Sequence, residues 1–476
     1  MNNFLLKSYL KCKRKAWLDF KGDTKYKSWS AQNSIQNFIE FKTFEEYTEE
    51  NLFSGLKGCK EGYMGVLGIK IHYNLKQDLE IVVNPSILIK VKGESIWGKH
   101  KYIPAISKLG NRTTKEHLFD LALSSIALEK FQNSSVEHGL VLKRYKNHIK
   151  AEKIFLKEKL KDKVINILFE LKDSLNKNIP EITENRKKCS ICYWQKYCDN
   201  EAKSKGYLTD IDGIGLNTSI FLNKLGIKDI NQLASFNKKV LDLKLLNNQE
   251  KNIPKYLKFI DQSNAYISGR AIGLPKREQY LKIFFENQPG FLIFDIESNP
   301  DENHDFLYGL LSIRNIWHNS NNDIYEPILN LKNEQKKISK SEILKKLKFK
   351  HNWPIIHYGD TEKIAILKLA RKANYSESEI ESLKSRFIDL HLIVRKSWIL
   401  PLKNYSLKTV ANWIGFNWEQ KNVSGSKALF WWLQYQNNQT NLFLEKIIKY
   451  NKDDCLATLD IARWLLNNSS DDFIRK

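Results

Sequence analysis

Four of the six cysteines in this 476-residue chain fall into one pattern: Cys12 alone in the basic, aromatic segment YLKCKRKAWLDF, then Cys189, Cys192 and Cys198 in KCSICYWQKYCDNEA. Thiolates spaced C-x2-C-x5-C can converge on one metal centre, and a distant fourth thiolate closes the site. A fold that satisfies the pattern must bring the start of the chain back to a point near residue 190. Four thiolates also suit tetrahedral zinc, usually as two C-x2-C knuckles, of which only one is present. Buried or incidental thiols without a metal are the remaining alternative. Cys59 and Cys455 lie outside the pattern and read as spare thiols. No apolar run approaches the roughly 18 residues of a membrane span. MNNFLLKSYLKCKRK lacks a signal-peptide apolar region. The expected location is therefore the cytoplasm, with no membrane partner. In that reducing compartment clustered cysteines are metal ligands rather than disulfides.

A lone Cys12 followed by Arg14 and Trp17-Leu18-Asp19, with the C-x2-C-x5-C run far downstream, resembles the iron-sulfur frame of the RecB-like nucleases, among them AddB and the CRISPR-associated RecB-like exonucleases. The resemblance covers about residues 1–205. It implies a PD-(D/E)XK domain clasped by a [4Fe-4S] cluster on Cys12, Cys189, Cys192 and Cys198. The catalytic motifs of that family depart here. Its chemistry needs an Asp at the end of one strand and an acid two residues before a Lys on the next, so that carboxylates hold Mg²⁺. IVVNPSILIKV, read as one strand, puts Ser86 where the Asp belongs; YIPAISKLG puts Ile106 where the acid belongs and keeps only Lys108. Neither Ser nor Ile replaces a carboxylate on a hard cation, so the first domain reads as a degenerate nuclease shell.

Composition favours a polyanionic partner. The chain carries 77 Lys+Arg against 54 Asp+Glu, a net charge of +23, and +18 of this falls on residues 1–290. A genome rich in Lys and Asn codons would inflate Lys everywhere, which leaves charge alone a weak argument. The length predicts two to four domains, and 42% hydrophobic content with 12% aromatics can fill their cores.

After Cys198 the chain changes character. LTDIDGIGLNTSIFLNKLGIKDINQLASF reads as a short helix, a Gly213-Ile214-Gly215 turn, a second helix, then Gly226 and a third helix starting at Asp229. A G-I-G turn exposes backbone N–H groups at a helix N-terminus, a geometry suited to phosphate. The segment resembles a helix-hairpin-helix motif, which implies sequence-independent contact with a nucleic-acid backbone through Gly213 and Gly215. An ordinary glycine-capped hairpin fits the same residues. Residues 237–290 read as a helical connector, with Pro275 and Gly290 before the last domain.

The last domain carries the strongest catalytic signal. FLIFDIES is an apolar strand in which alternation puts Asp295 and Glu297 on one side, where they can share divalent cations. YGLLSIRNIWH reads as its antiparallel neighbour, and WPIIHYGDTEKIAILKLA as a strand running into a helix with Asp360 and Glu362 at its start. Asp389 follows in SRFIDLHLIVRKSW, and KIIKYNKDDCLATLDIARWL is an amphipathic helix on which Tyr450 and Asp454, four apart, share a face. These pieces resemble the DEDD exonucleases of the RNase H-like superfamily, in the YprB-like branch. The resemblance implies that Asp295, Glu297, Glu362 and Asp454 hold two Mg²⁺ or Mn²⁺ ions and that Tyr450 orients the attacking water. Glu362 stands where that family has an Asp, with Asp360 in reserve; Asp389 takes a supporting or substrate-positioning role.

The expected fold is thus a multidomain α/β chain. Residues 1–205 are a degenerate PD-(D/E)XK domain with the cluster cysteines, residues 206–285 a helix-hairpin-helix segment and connector, and residues 286–476 an RNase H-like domain with a mixed sheet. The expected function is a metal-dependent 3′–5′ exonuclease, on DNA before RNA. No GxxxxGK[ST] loop occurs, so ATP-driven unwinding would come from a helicase or repair partner. The alternative is a non-catalytic DNA-binding scaffold with both nuclease folds degenerate.

Overall fold

The computed structural model of the chain describes residues 1–469 apart from 76–78, 109, 111, 146–147, 185, 238–252, 276, 318–322 and 332–334. The chain divides into two compact units, Met1–Glu201 and Ala202–Lys476. No helix among the described residues is long and apolar enough to cross a membrane.

The first unit is built on a six-stranded sheet of β1 (Leu52–Ser54), β2 (Gly65–Leu67), β3 (Ile87–Ser95), β4 (Gly98–Lys108), β5 (His138–Arg144) and β6 (Ile149–Phe155), in that order across the sheet. The β1–β2 and β4–β5 pairs are parallel and the others antiparallel. Helices α1 (Asn3–Lys11), α2 (Lys13–Lys21) and α3 (Ala31–Tyr47) precede the sheet. Helix α4 (Lys115–Gln132) is buried continuously from Phe119 to Leu128 and packs on β4 and β5, as a helix apolar on all sides must. Helix α5 (Glu158–Asn176) covers α4 in turn.

The segment IVVNPSILIKV is two strands rather than one. Leu79–Val83 closes a hairpin with Ile71–Leu75, and β3 begins only at Ile87. Pro85 offers no N–H to a ladder, and the Asn84 backbone bonds the Asn3 side chain instead, its N–H donating to Oδ1 at 3.2 Å and its C=O accepting from Nδ2 at 2.8 Å.

In the second unit, β7 (Phe291–Asn299), β8 (His304–Ile313), β9 (Ile324–Leu329), β10 (Ile355–His357) and β11 (Phe387–Asp389) form a mixed sheet in the order β9-β8-β7-β10-β11. The first three are antiparallel neighbours, and β10 and β11 run parallel to β7. Strand β7 is central and apolar on both faces because both are covered. Leu292, Phe294 and Ile296 pack with Ile366 and Ala370 of helix α7 (Thr361–Lys372). Phe291 and Ile293 pack with Ala457 and Ile461 of the long helix α9 (Asn441–Asn467). Residues of odd number on β7 therefore face α9, and Asp295 and Glu297 continue that row.

Ahead of this sheet, Leu208, Ile214, Leu222, Ile230 and Phe259 belong to a separate apolar cluster. The helices expected there are present: a 3₁₀ turn Leu208–Asp210, α6 (Leu216–Lys224), and Ile230–Ala234, which Asp229 caps by accepting from Gln232 N at 2.8 Å. Of the connector, Ile253–Ser268 and Arg277–Phe285 are helical; residues 238–252 lie outside the described residues. A short strand at Ile272–Gly273, which no periodicity announced, pairs with Trp398–Ile399.

Candidate active site

Asp295, Glu297 and Asp454 each bring one carboxylate oxygen into a group whose members lie within 4.8 Å of one another. Among the described residues it is the one group of three or more His, Cys, Asp or Glu side chains placed this way. Glu297 and Asp454 are each 6% exposed. Burial, reinforced by the charges of Asp454, Glu297 and Glu362, holds the Asp295 carboxyl well above the usual carboxylate range. Burial and Asp454 do the same to Glu297. Asp454 is pushed up to about 6 by burial, against the hydrogen bonds it accepts from Trp418 and Tyr450 and the charge of Lys408. Acidic groups so placed fit a divalent cation, which would relieve both the burial and the mutual repulsion.

The two acids at the start of α7 differ in burial, and neither belongs to the group of three. Asp360 is exposed at the N-cap of α7, whereas Glu362 is buried at 6% exposure and its charge bears on both Asp295 and Glu297. Glu362 Oε2 is buried without a hydrogen bond; His357 Nδ1 stands 3.7 Å away, and neither nitrogen of that fully buried ring is hydrogen-bonded. An all-carboxylate donor set with one orphaned oxygen suits Mg²⁺ or Mn²⁺. Asp389 stands outside the group of three. Its Oδ1 accepts from Gly359 N at 3.0 Å and His391 N at 2.9 Å, tying the turn after β10 to the start of the helix Leu390–Ser397.

Tyr450 is 4% exposed and hydrogen-bonded to Asp454, as their four-residue spacing on α9 predicts. Four neighbours had no such signal or a weak one. Asn451 donates from Nδ2 to Asp295 Oδ2 at 2.6 Å and accepts from Tyr325 Oη at 2.7 Å. A Cβ at Gly309, which pairs with Asp295 across β7–β8, would stand 1.6 Å from Asn451 Oδ1, so glycine is what lets Asn451 reach the acid. Trp418 Nε1 donates to Asp454 Oδ1 at 2.6 Å. Lys408, on α8 (Leu407–Ile414), donates to Val423 O and lies 4.8 Å from the Tyr450 ring centre and 5.2 Å from that of Trp418. Only Asn451, three residues before Asp454, sat within reach of a helical-spacing argument.

Residues 292–466 match the family model of the RNase H superfamily. The C-terminal part of this chain is an RNase H-like domain. Nucleases of that superfamily act on phosphodiester bonds with divalent metals, and the carboxylate group lies inside the matched range of the RNase H-like domain. No curated protein matches the chain.

The first unit brings its sequence candidates together differently. Cys12 joins α1 to α2, Cys189 lies within the 3₁₀ turn Lys187–Ile191 that Cys192 ends, and Cys198 lies on the helix Gln195–Lys205. They are near enough that Cys189, pushed up to about 11 by burial, also feels Cys192, Cys12 and Cys198. No three of the four sulfurs fall within 4.8 Å of one another, whereas a zinc tetrahedron with Zn–S near 2.3 Å sets thiolates about 3.8 Å apart. The expected closure of the chain is carried by hydrogen bonds: Trp194 Nε1 and Tyr193 Oη donate to Asp19 at 2.8 and 2.7 Å, and Arg14 Nη1 donates to Pro180 O at 2.8 Å.

Ser86 stands just before β3, and Ile106, 5% exposed, belongs to the apolar core. Lys108 donates to Glu152 Oε2 at 2.9 Å and Thr113 Oγ1 at 2.7 Å. Gly213 takes φ +83°, open to glycine, and exposed Gly215 precedes α6, with Ile214 buried between them. Asp212 and Asp210 beside this turn pair with Arg395 and Lys403 at 2.6 Å each.

Proposed function

We propose that the chain is a metal-dependent nuclease that hydrolyses nucleic-acid phosphodiester bonds in its RNase H-like domain, as a 3′–5′ exonuclease on DNA in preference to RNA. The observation that carries this reading is the convergence of Asp295, Glu297 and Asp454 within 4.8 Å, with Glu362 acting electrostatically on Asp295 and Glu297, inside the family match. Asp295, Glu297, Glu362 and Asp454 would hold the two Mg²⁺ or Mn²⁺ ions. Bound there, divalent ions supply acidified water and charge compensation at the scissile phosphate. Tyr450 presents its hydroxyl beside Asp454 and orients the attacking water. Asn451, fixed by Tyr325, keeps the Asp295 carboxylate turned toward its partners, and Trp418 does the same for Asp454. Lys408 offers an ammonium to a substrate phosphate at the edge of the group.

In this reading residues 1–205 are a RecB-like domain that binds substrate and has lost its own chemistry, residues 206–285 add phosphate contacts at Gly213 and Gly215, and residues 286–476 cut. Cys12, Cys189, Cys192 and Cys198 would hold a [4Fe-4S] cluster. Soft thiolates drawn from both ends of the first unit, near enough for the other three to act on Cys189, support this. A helicase or repair partner in the cytoplasm would supply unwinding. The test is degradation of end-labelled single-stranded and duplex DNA and RNA with Mg²⁺ or Mn²⁺, read as product ladders. A shortening 3′ ladder on DNA is the expected result; no cleavage of any substrate with either metal refutes it.

A further inference from the structure

We propose that a groove in the first unit, bounded by Phe4, Trp29, Tyr193 and Lys27, binds an unpaired base and its phosphate, which makes it a site for single-stranded nucleic acid; the proposal rests on the nuclease reading. The groove has a volume of about 440 Å³, inside the ~300–1,000 Å³ range of small-ligand sites. Phe4 is 46% exposed and Trp29 57%, large apolar surfaces open to solvent. Exposed rings alone would equally fit a protein partner. The rest of the lining decides: beyond three rings and one lysine it is serine and asparagine, with no carboxylate and no aliphatic side chain. Flat rings, hydrogen-bonding groups and a cation are what a base and a phosphate require, whereas a protein-docking patch would surround its rings with aliphatic surface.

The groove is also held in shape. Ser28 N donates to Tyr193 O at 2.8 Å, and the Tyr193 hydroxyl is anchored on Asp19. Lys15 sits 4.5 Å from the Tyr193 ring centre and 5.0 Å from that of Phe4 but is committed to Asp19 at 2.7 Å. Lys27 is looser: its ammonium lies 3.7 Å from Asp19, an acid already bound by Lys15, Tyr193 and Trp194, and its side chain is 32% exposed. It is the groove's own cation for a phosphate, while Trp29 and Phe4 offer faces for stacking.

The test is fluorescence anisotropy of labelled single-stranded DNA, single-stranded RNA and duplex DNA with the full chain in EDTA, where nothing is cut. Trp29→Ala should weaken both single strands about tenfold and duplex far less, because paired bases cannot enter. Lys27→Gln should make the salt dependence of single-strand binding shallower by about 0.7 in log–log slope. Lys57→Gln, at an exposed lysine that does not line the groove, is the control and should change neither. Equal loss on duplex and single strands, or a folded Trp29→Ala protein that binds single strands as the parent does, would overturn the proposal. Should Trp29→Ala fail to fold, an unchanged salt slope in Lys27→Gln overturns it alone. Wild-type turnover of thymidine 5′-p-nitrophenyl phosphate with Mn²⁺ reports the nuclease reading separately, so either idea can fail without the other.

Discussion

Replacing Asp454 by Asn should stabilise the metal-free protein while abolishing its response to metal. Asp454 ionises at 3.8 in an unfolded chain and at about 6 in the fold, because burial disfavours its charge. Between those values the native state binds more protons than the unfolded one, so stability falls as pH rises through that window and stays reduced above it. A displacement of that size costs the fold about 3 kcal/mol once the carboxyl is charged. Asn carries no charge and keeps an oxygen for Trp418 Nε1, now 2.6 Å away, while weakening bonds that a carboxylate accepts more strongly, a loss of about 1 kcal/mol. The net expectation at alkaline pH is a gain of about 2 kcal/mol, or a rise of roughly 2–4 °C in melting temperature for a chain of this size. Calorimetry in EDTA, at pH well below and well above 6, reads the effect: parent and variant should melt together at the acid end and separate at the alkaline end. Excess Mn²⁺ should raise the parent's melting temperature and leave the variant's unchanged, since a ligand stabilises only the state that binds it. A variant less stable than the parent at alkaline pH, or equally stabilised by Mn²⁺, refutes the reasoning.

Gly309→Ala should drive Asn451 off Asp295, cutting turnover about tenfold with a modest loss of stability of about 1–3 kcal/mol; Asn451→Ala should match its turnover loss, and a fully active Gly309→Ala enzyme would remove Asn451 from the account. Tyr450→Phe should slow cleavage by about tenfold, the worth of one hydrogen bond, and far less than loss of a carboxylate; single-turnover rates check this. Protein purified without oxygen should carry about four irons per chain, and Cys189→Ala should lose them and expose the first unit to protease before the second; stoichiometric zinc without iron or sulfide would contradict the cluster.

Sequence reasoning reached the parts of this site that obey a local period. Asp295 and Glu297 are legible because a strand alternates, and Tyr450 and Asp454 because a helix returns every fourth residue. Glu362 is legible as an acid at a strand-to-helix turn, although only its burial separates it from Asp360. The supporting residues are not local: Tyr325 meets Asn451 across 126 positions and Trp418 meets Asp454 across 36. Lys408 arrives from a helix with no motif of its own. Gly309 looked like any glycine in an apolar strand until Asn451 stood opposite. In the first unit the cysteine spacing suggested one shared metal centre, yet no three of the four sulfurs lie within 4.8 Å of one another. The reading of IVVNPSILIKV as one strand failed because Pro85 and the Asn3 side chain take the backbone out of the ladder.

The central claim is that the chemistry resides in the RNase H-like domain and not in the first unit. Metal-dependent degradation of an end-labelled strand, compared among Asp295→Ala, Asp454→Ala and Lys108→Ala, tests it most directly. Asp295→Ala and Asp454→Ala should each abolish cleavage while nucleic-acid binding survives nearly intact, and Lys108→Ala, which loses only its contacts with Glu152 and Thr113, should cut at close to the parent rate. Full activity in Asp295→Ala together with inactivity in Lys108→Ala would contradict the account and return the active site to the strands around Ser86 and Ile106.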